Sequence, residues 1–240
     1  MKKAILICLL VSLLRITGEA QDYISISFSD DNETNKISQL DLSGNVLQET
    51  EFPILNPGAY PFSIVENNGS IYGICTDGGS FGEGAIFEYD PGDNTYSVVS
   101  DLTQFVDVIV PVDGTLIGAQ QNSLFTLDIN SGVLTNIQMP TGVAGLYNLM
   151  RASNGLLYGT SEEGGSNGNG VLYSYDPSSG QVTVEHNFTS GTDGDFSASN
   201  LIEGDNGILY GTNQFGGSGF GGTLFSFNTS NNSFNVLQSF

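Results

Sequence analysis

The chain of 240 residues contains no tryptophan, one histidine, two cysteines and only five lysine and arginine residues, against 26 aspartates and glutamates. Each shortage excludes something. A net charge of −21 with no basic footprint excludes nucleic-acid binding, which needs cations to neutralise phosphates. Adhesion to an anionic membrane surface fails for the same reason. The single histidine, His186, rules out a histidine-rich metal site. Cys75 is the one cysteine after residue 20, so a cysteine metal site and an intramolecular disulfide are ruled out too. It lies inside the apolar run IYGIC with no cation near it in sequence, which predicts a buried structural thiol. His186 sits in QVTVEHNF, and no G-x-S-x-G elbow accompanies it. It is expected at the surface or at a strand edge and not in a catalytic triad.

Long hydrophobic runs are confined to the start. MKKAILICLLVSLLRITGEA carries two lysines, an apolar stretch of about ten residues and the small residue Ala20, the pattern of a secretory signal peptide cleaved before Gln21. The stretch is shorter than the ~20 residues a membrane span needs, and Arg15 interrupts it. Residues 21–240 are therefore expected to be secreted or held at the cell surface, with no insertion of the mature chain into a membrane. Cleavage would remove Lys2, Lys3, Arg15 and Glu19, leaving Lys36 and Arg151 against 25 acidic residues. Five N-x-S/T sequons occur, at Asn32, Asn68, Asn187, Asn228 and Asn231. Behind a bacterial type of leader they follow from composition and are not read as glycosylation sites.

What the chain has in abundance is glycine, 32 residues, and it is periodic. GSIYGICTDGG starts at Gly69, GTLIGAQ at Gly114, GLLYGTSEEGG at Gly155 and GILYGTNQFGG at Gly207, so equivalent glycines fall at 73, 118, 159 and 211. In three copies another glycine follows the Gly-Gly pair by five residues, at Gly84, Gly170 and Gly222. An aromatic-rich run comes next: GAIFEYD, GVLYSYD, GTLFSFN, and NSLFTLD in the shortened copy. A period near 44 residues signals a repeat architecture. The repeats cover residues 22–52, 61–102, 106–139, 147–188 and 199–240, and the first lacks its opening segment.

Within each full repeat, four alternating runs rich in Ile, Val, Leu, Phe and Tyr are separated by short polar turns, which are strand and hairpin signals. In the first full copy they are residues 61–67, 70–76, 84–90 and 95–101. The third run is apolar on both faces (Ile86, Phe87 and Tyr89; Leu172, Tyr173 and Tyr175), as when sheets stack face to face. The predicted fold is all-β: a β-propeller of about five four-stranded antiparallel blades with an incomplete first blade. Phe240 aligns with Phe188 at the end of a fourth strand, so a closed ring and an open or truncated one both remain.

The pattern G-x-L-Y-G-T-x-x-x-G-G-x-x-G-x-G-x-x-F resembles the GloVer-type tandem repeats of exported bacterial proteins, which look related to kelch-like and other propeller repeats. Residues 155–176 and 207–228 match best, residues 69–90 match well, and residues 114–128 lack the Gly-Gly loop. The resemblance implies a propeller repeat protein at the surface or outside the cell and implies no activity.

Candidate chemistry is sparse. In a propeller the loops between second and third strands, here 76–84, 160–170 and 212–222, lie on one face, and loops on a rigid scaffold are where binding resides. They carry Asp77, Glu83, Glu162, Glu163, Asn167, Asn213 and Gln214, the candidate ligand-binding residues, with the aromatics Phe81, Phe215 and Phe220. The competing reading makes these loops plain connectors whose phenylalanines plug gaps between blades. The expected partner is an extracellular protein or a glycan. No cofactor, metal ligand or catalytic residue is assigned. Calcium, which takes carboxylate and carbonyl oxygens, suits the oxygen-rich stretches DDNETN (30–35) and TDGD (192–195) best. Neither has EF-hand or D-x-D-x-D-G spacing, and an ordinary polar turn accounts for each. The function expected is a non-enzymatic binding or structural module. The alternative is a carboxylate-based hydrolase or lyase acting on an extracellular polysaccharide, which would need two carboxylates about 5–10 Å apart.

Overall fold

A computed structural model describes residues 9–14, 22–28, 34–40, 43, 45–53, 59–195 and 200–240. Among the described residues twenty strands form five four-stranded sheets, each from one contiguous stretch of chain and each in sequential order. The first sheet holds β1 (Leu9–Leu14), β2 (Asp22–Phe28), β3 (Thr34–Leu40) and β4 (Val46–Pro53). The second holds β5 (Ala59–Asn67), β6 (Ser70–Asp77), β7 (Ala85–Asp90) and β8 (Thr95–Asp101). The third comprises β9 (Val106–Val112), β10 (Thr115–Gln120), β11 (Leu124–Asp128) and β12 (Leu134–Ile137). The fourth comprises β13 (Ala144–Arg151), β14 (Leu157–Glu163), β15 (Val171–Asp176) and β16 (Gln181–Asn187). The fifth comprises β17 (Ile202–Glu203), β18 (Ile208–Asn213), β19 (Thr223–Asn228) and β20 (Ser233–Ser239).

Every pairing between these strands is antiparallel, as short polar turns require. Among the described residues the one helical element is a 3₁₀ turn at Asp205–Gly207. The chain divides into two compact units, residues 1–105 and 106–240.

The expected blades are therefore present. The first repeat supplies three strands of its sheet. The fourth place is taken by Leu9–Leu14, from the N-terminal apolar stretch, which pairs with β2.

Burial follows strand position. The inner strands of the second, third and fourth sheets are buried on both faces, as in Ile71–Cys75, Leu116–Gln120 and Val171–Tyr175, whereas β18 buries only the face of Leu209, Gly211 and Asn213. The fourth strands β8, β12 and β20 alternate or stay exposed. In the second unit the β13–β16 sheet is packed on both sides. Leu146, Leu157 and Tyr173 meet Ile117, Leu124 and Val112 of the β9–β12 sheet. Tyr158, Leu172 and Phe188 meet Leu209, Phe225 and Phe227 of the β17–β20 sheet. Each fully buried aromatic or aliphatic side chain contributes about 1.5–3 kcal/mol.

One device recurs in every full blade. The glycine of the second strand faces the aromatic of the third across the ladder: Gly73↔Phe87, Gly118↔Phe125, Gly159↔Tyr173 and Gly211↔Phe225. A Cβ at these glycines would lie only 2.2–2.5 Å from the ring tip. The missing side chain is what lets the ring lie flat against the sheet.

The Gly-rich loops are equally regular. Gly84, Gly170 and Gly222 each donate a backbone N–H to the first Gly of the Gly-Gly pair, at 3.0, 3.1 and 3.0 Å. Their carbonyls accept from Leu102, Phe188 and Phe240. They need positive φ (99°, 85° and 99°), and a side chain there would strike a strand carbonyl oxygen at 2.0–2.3 Å. The serine after each Gly-Gly pair is held by the end of the fourth strand: Ser80 Oγ donates to Asp101, Ser166 N to Asn187 Oδ1 at 2.7 Å and Ser218 N to Ser239 Oγ at 2.6 Å.

Candidate ligand-binding site

Against this repeated frame, departures stand out, and those carrying polar chemistry gather on the facing strands β9, β13, β14 and β15. Three blades place a phenylalanine over the second-strand glycine; the fourth places Tyr173. Its ring is fully buried, and its hydroxyl has no hydrogen-bond partner among the described residues. Burial, with the negative charge of Asp107, pushes its pKa up, so it is a neutral donor at every working pH. An orphan buried hydroxyl costs roughly 1–3 kcal/mol. A phenylalanine would avoid that cost.

The Tyr173 hydroxyl lies under a bulge in β13. The register of β13 against β14 shifts between Tyr147 and Leu149, and Asn148 takes a positive φ of 53°, uncommon for a residue that is not glycine. The Asn148 N–H, turned out of the ladder, donates to Asp107 Oδ2 at 3.3 Å. Asp107 thus comes from β9, in the neighbouring sheet, and sits beside the bulge. Three residues before Asn148, Gly145 has φ 63°, and the Glu162 side chain lies across it, its Cβ and Oε2 at 3.0 and 3.2 Å from where a Cβ at 145 would sit.

Glu162 is half-buried. Its carboxyl is pushed above the usual carboxylate range by burial; a hydrogen bond from the Tyr147 hydroxyl pulls it back, and repulsion from Glu163 pushes it up again. Tyr147 is raised first by burial, then by the charge of Glu162, its hydrogen-bond acceptor, and lastly by Asp107. The Asn148 bulge thus separates two polar pairs: Asp107 and Tyr173 on the face of the β13–β16 sheet turned to β9–β12, and Glu162 with Tyr147 on the opposite face. Among the described residues no three His, Cys, Asp or Glu side chains meet in an arrangement that could hold a metal ion.

The seven residues expected from sequence divide clearly. Asp77 and Glu163 are exposed at the ends of β6 and β14, and Glu83, Asn167 and Gln214 are exposed on the loops; Asn167 Nδ2 donates to the Phe188 carbonyl at 3.1 Å. Glu162 accepts from the Tyr147 hydroxyl. Asn213 is 3% exposed, and its amide donates to the Asp193 carbonyl at 2.7 Å and to Thr223 Oγ1 at 3.2 Å, so it serves the scaffold. Phe81, Phe215 and Phe220 are 66%, 54% and 83% exposed; they do not plug gaps between blades, because the Gly-rich loops project them outward. Asp107, Tyr147 and Tyr173 were not among the expected residues. The signal for Tyr173 was present, since GVLYSYD has Tyr where GAIFEYD, NSLFTLD and GTLFSFN have Phe. Asp107 is a lone carboxylate inside the apolar run FVDVIV. For Tyr147 the bulge that gives it its neighbours has no sequence signature.

The sole histidine lies on β16, the edge strand of its sheet, as expected, but it is tied into the junction of two blades. His186 Nε2 is 2.9 Å from Asp193 Oδ2, and its ring stacks on Phe234 at 3.7 Å between centroids. The other carboxylate oxygen of Asp193 accepts from the Thr189 backbone N–H at 3.2 Å and from the Thr189 hydroxyl. Its carbonyl accepts from Asn213 and Thr223. TDGD is thus a turn stitched into the scaffold, with the Asp193 carboxylate already occupied. DDNETN lies largely outside the described residues, since 30–33 are not among them. Cys75 is buried as predicted, and burial raises its thiol to about 12. Among the described residues no helix is long and apolar enough to cross a membrane.

A family model described as the Gloeobacter/Verrucomicrobia repeat matches residues 113–240. No curated protein matches the sequence. Among solved structures the fold is similar to the extracellular domain of a hybrid two-component system from B. thetaiotaomicron, with TM-score 0.59 and 12% identity over 97% of this chain and 34% of that one. It is also similar to the extracellular domain of a one-component system from the same organism, with TM-score 0.56 and 13% identity over 85% of this chain and 26% of that one. An oligogalacturonate lyase in complex with manganese gives TM-score 0.57 and 15% identity over 90% of this chain and 62% of that one. The chain spans less than two thirds of the length of each. At these identities the likeness concerns the propeller-type fold.

Proposed function

Because the chain belongs to the Gloeobacter/Verrucomicrobia repeat family, we propose that it is an exported propeller repeat protein acting as a non-enzymatic binding module. The observation carrying this reading is the contrast between a frame held constant from blade to blade and the polar departures from it about the Asn148 bulge, Asp107, Tyr147, Glu162 and Tyr173. Repeat scaffolds keep their buried contacts and vary their binding positions. The chemistry of these residues favours binding over turnover. They are two carboxylates and two neutral phenols, with no cation. Arg151, at the far end of β13, is paired with Asp113 at 3.7 Å. Export is supported by the leader pattern of residues 1–20 and agrees with the extracellular domains among the similar structures.

The competing reading is a hydrolase or lyase on an extracellular polysaccharide. It draws on the fold shared with an oligogalacturonate lyase and on the raised carboxyl of Glu162, which is the kind of group general acid catalysis uses. The two readings separate in one assay. The purified mature chain is incubated with acidic and neutral polysaccharides, and reducing ends and unsaturated products are followed. No turnover, with retention of the chain on an extracellular partner, is the expected result. Turnover abolished by Glu162→Gln would replace the binding reading. Export is checked by N-terminal sequencing of the protein recovered outside the cytoplasm, where the expected first residue is Gln21.

A further inference from the structure

We propose that the open face of the β17–β20 sheet docks a second copy of this chain, sheet against sheet about a two-fold axis. This goes beyond the binding-module reading and does not depend on it. The register defines the face. Ile202 pairs with Tyr210, Tyr210 with Ser226, Ser226 with Asn235, Thr212 with Leu224 and Leu224 with Gln238, so these side chains stand on one side of the sheet. The other side holds Leu209, Phe225, Phe227 and Phe234, which pack on the preceding sheet.

The repeat shows what such a face is built for. The place of Tyr210 is held in the other full blades by Tyr72, Ile117 and Tyr158, and that of Leu224 by Ile86, Leu124 and Leu172; all six are buried. In the last sheet Tyr210 and Leu224 are only half-buried. Phe240 makes the contrast sharpest. Leu102, Phe188 and Phe240 each donate their backbone N–H to the glycine that closes the Gly-rich loop, Gly84, Gly170 and Gly222. Leu102 and Phe188 are 1% and 0% exposed, whereas Phe240 is 60% exposed and Ile202 64%. In the preceding sheet the counterparts Met150, Tyr158, Leu172 and Phe188 form the contact with the sheet that follows. The last sheet therefore repeats an apolar sheet-docking face and, among the described residues, leaves it open.

Charge selects the occupant. Residues 200–240 contain two acidic residues and no basic one. Glu203 turns to the preceding sheet, where its carboxylate accepts from Ser153 N and Oγ at 2.8 and 2.6 Å, and Asp205 sits in the 3₁₀ turn. The preceding sheet has Glu185 beside His186, accepting from Ser174 Oγ at 2.6 Å; the last sheet has Leu237 in that place, 50% exposed. A two-fold contact brings identical surfaces together, and opposed carboxylates would forbid it in a chain of net charge −21. This face has none to oppose. A basic partner would find no charge on it, and an anionic lipid surface repels the chain as a whole. The large Tyr210 and Leu224 alternate with the small Thr212 and Ser226, so two such faces can interdigitate as the sheets of a sandwich do.

Sedimentation velocity of the purified chain, across protein and salt concentration, tests this. A dimer is expected. It should tighten as sodium chloride rises from about 0.01 M to about 0.1 M, because screening weakens the repulsion between two acidic bodies and leaves the apolar contact intact. Ile202→Glu places a carboxylate on the face, and Phe240→Ala removes its most exposed ring; each should weaken the dimer about tenfold or more. Both positions are exposed, so the fold should survive, and an unchanged circular dichroism spectrum checks that it does. Val133→Glu, at an exposed apolar residue between β11 and β12, should leave the dimer as it was. A chain that stays monomeric up to about 100 μM, a dimer indifferent to Ile202→Glu and Phe240→Ala, or a dimer that salt dissociates would each overturn the proposal. A monomer that captures an extracellular protein or a glycan would overturn this inference alone and leave the binding-module reading standing.

Discussion

Asp193 shows how much a single side chain carries in a chain so poor in cations. Its carboxylate is held by His186 and by both donors of Thr189, and its carbonyl by Asn213 and Thr223. Burial alone would push its pKa up, but the hydrogen bonds from Thr189 and His186 and from the backbone outweigh it, and the net shift is downward. A carboxyl whose folded pKa lies below its unfolded value stabilises the fold above the unfolded pKa, and that contribution is lost as pH falls through the folded one. Asp193→Asn should therefore destabilise the chain at neutral pH by about 1.5–3 kcal/mol, the range for hydrogen bonds to a charged group. The gap between variant and wild type should close below about pH 4, near the ordinary aspartate pKa. Denaturant unfolding at a series of pH values measures this, and a gap independent of pH would show that the charge of Asp193 contributes nothing. His186 would then owe its place to its stacking on Phe234.

At the scale of the element, the pairing of second-strand glycine with third-strand aromatic makes the sharpest prediction. A Cβ at Gly211 would stand 2.5 Å from Phe225 Cζ and 2.8 Å from Leu201 Cδ2. Gly211→Ala should cost about 1–3 kcal/mol through overpacking, or more if the strand must shift. Trimming the ring, as in Phe225→Leu, should recover part of that loss. A double-mutant cycle then returns a coupling term between the two sites; additive losses would mean that the ring is not what the glycine accommodates. This frame was legible in the sequence, because it repeats: the glycines at 73, 118, 159 and 211 and the aromatics behind them announced both the strands and their contact. The Gly-rich loop was legible as a turn, but not as the hydrogen-bonded clasp that ties Ser166 to Asn187 and Ser218 to Ser239, since those partners lie 21 residues apart. The site was the least legible part. Glu162 was visible because it lies beside the Gly-Gly loop, at the end of β14; Asp107 and Tyr147 were not, because their surroundings depend on the juxtaposition of two sheets and a bulge at Asn148. Periodicity shows what repeats, whereas a site is built from what does not.

At the scale of the whole molecule the controlling quantity is charge. With 26 acidic residues against five basic ones, the compact state carries a repulsion that the unfolded chain relieves. Arg151 offsets little of it, because its contact with Asp113 is long and exposed, 3.7 Å with the carboxylate side chain 85% accessible, and such pairs contribute about 0–1 kcal/mol. Two opposed pH effects follow. Between neutrality and the isoelectric region near pH 4.1, protonation of exposed carboxylates reduces the repulsion and raises stability. Below that, Asp193 gives up its hydrogen bonds and stability falls. The melting temperature should therefore peak in mildly acidic solution and not at pH 7. Salt separates the two terms. The Debye length shrinks from about 30 Å at 0.01 M to about 10 Å at 0.1 M, so sodium chloride at pH 7 should raise the melting temperature over that range and then level off. Near the isoelectric region, where little net charge is left to screen, the same addition should do almost nothing. Differential scanning calorimetry across a grid of pH and salt measures both. A melting temperature insensitive to salt at pH 7 would mean that the acidic side chains are spaced widely enough to be screened already, and would leave solubility as the only physical consequence of the charge.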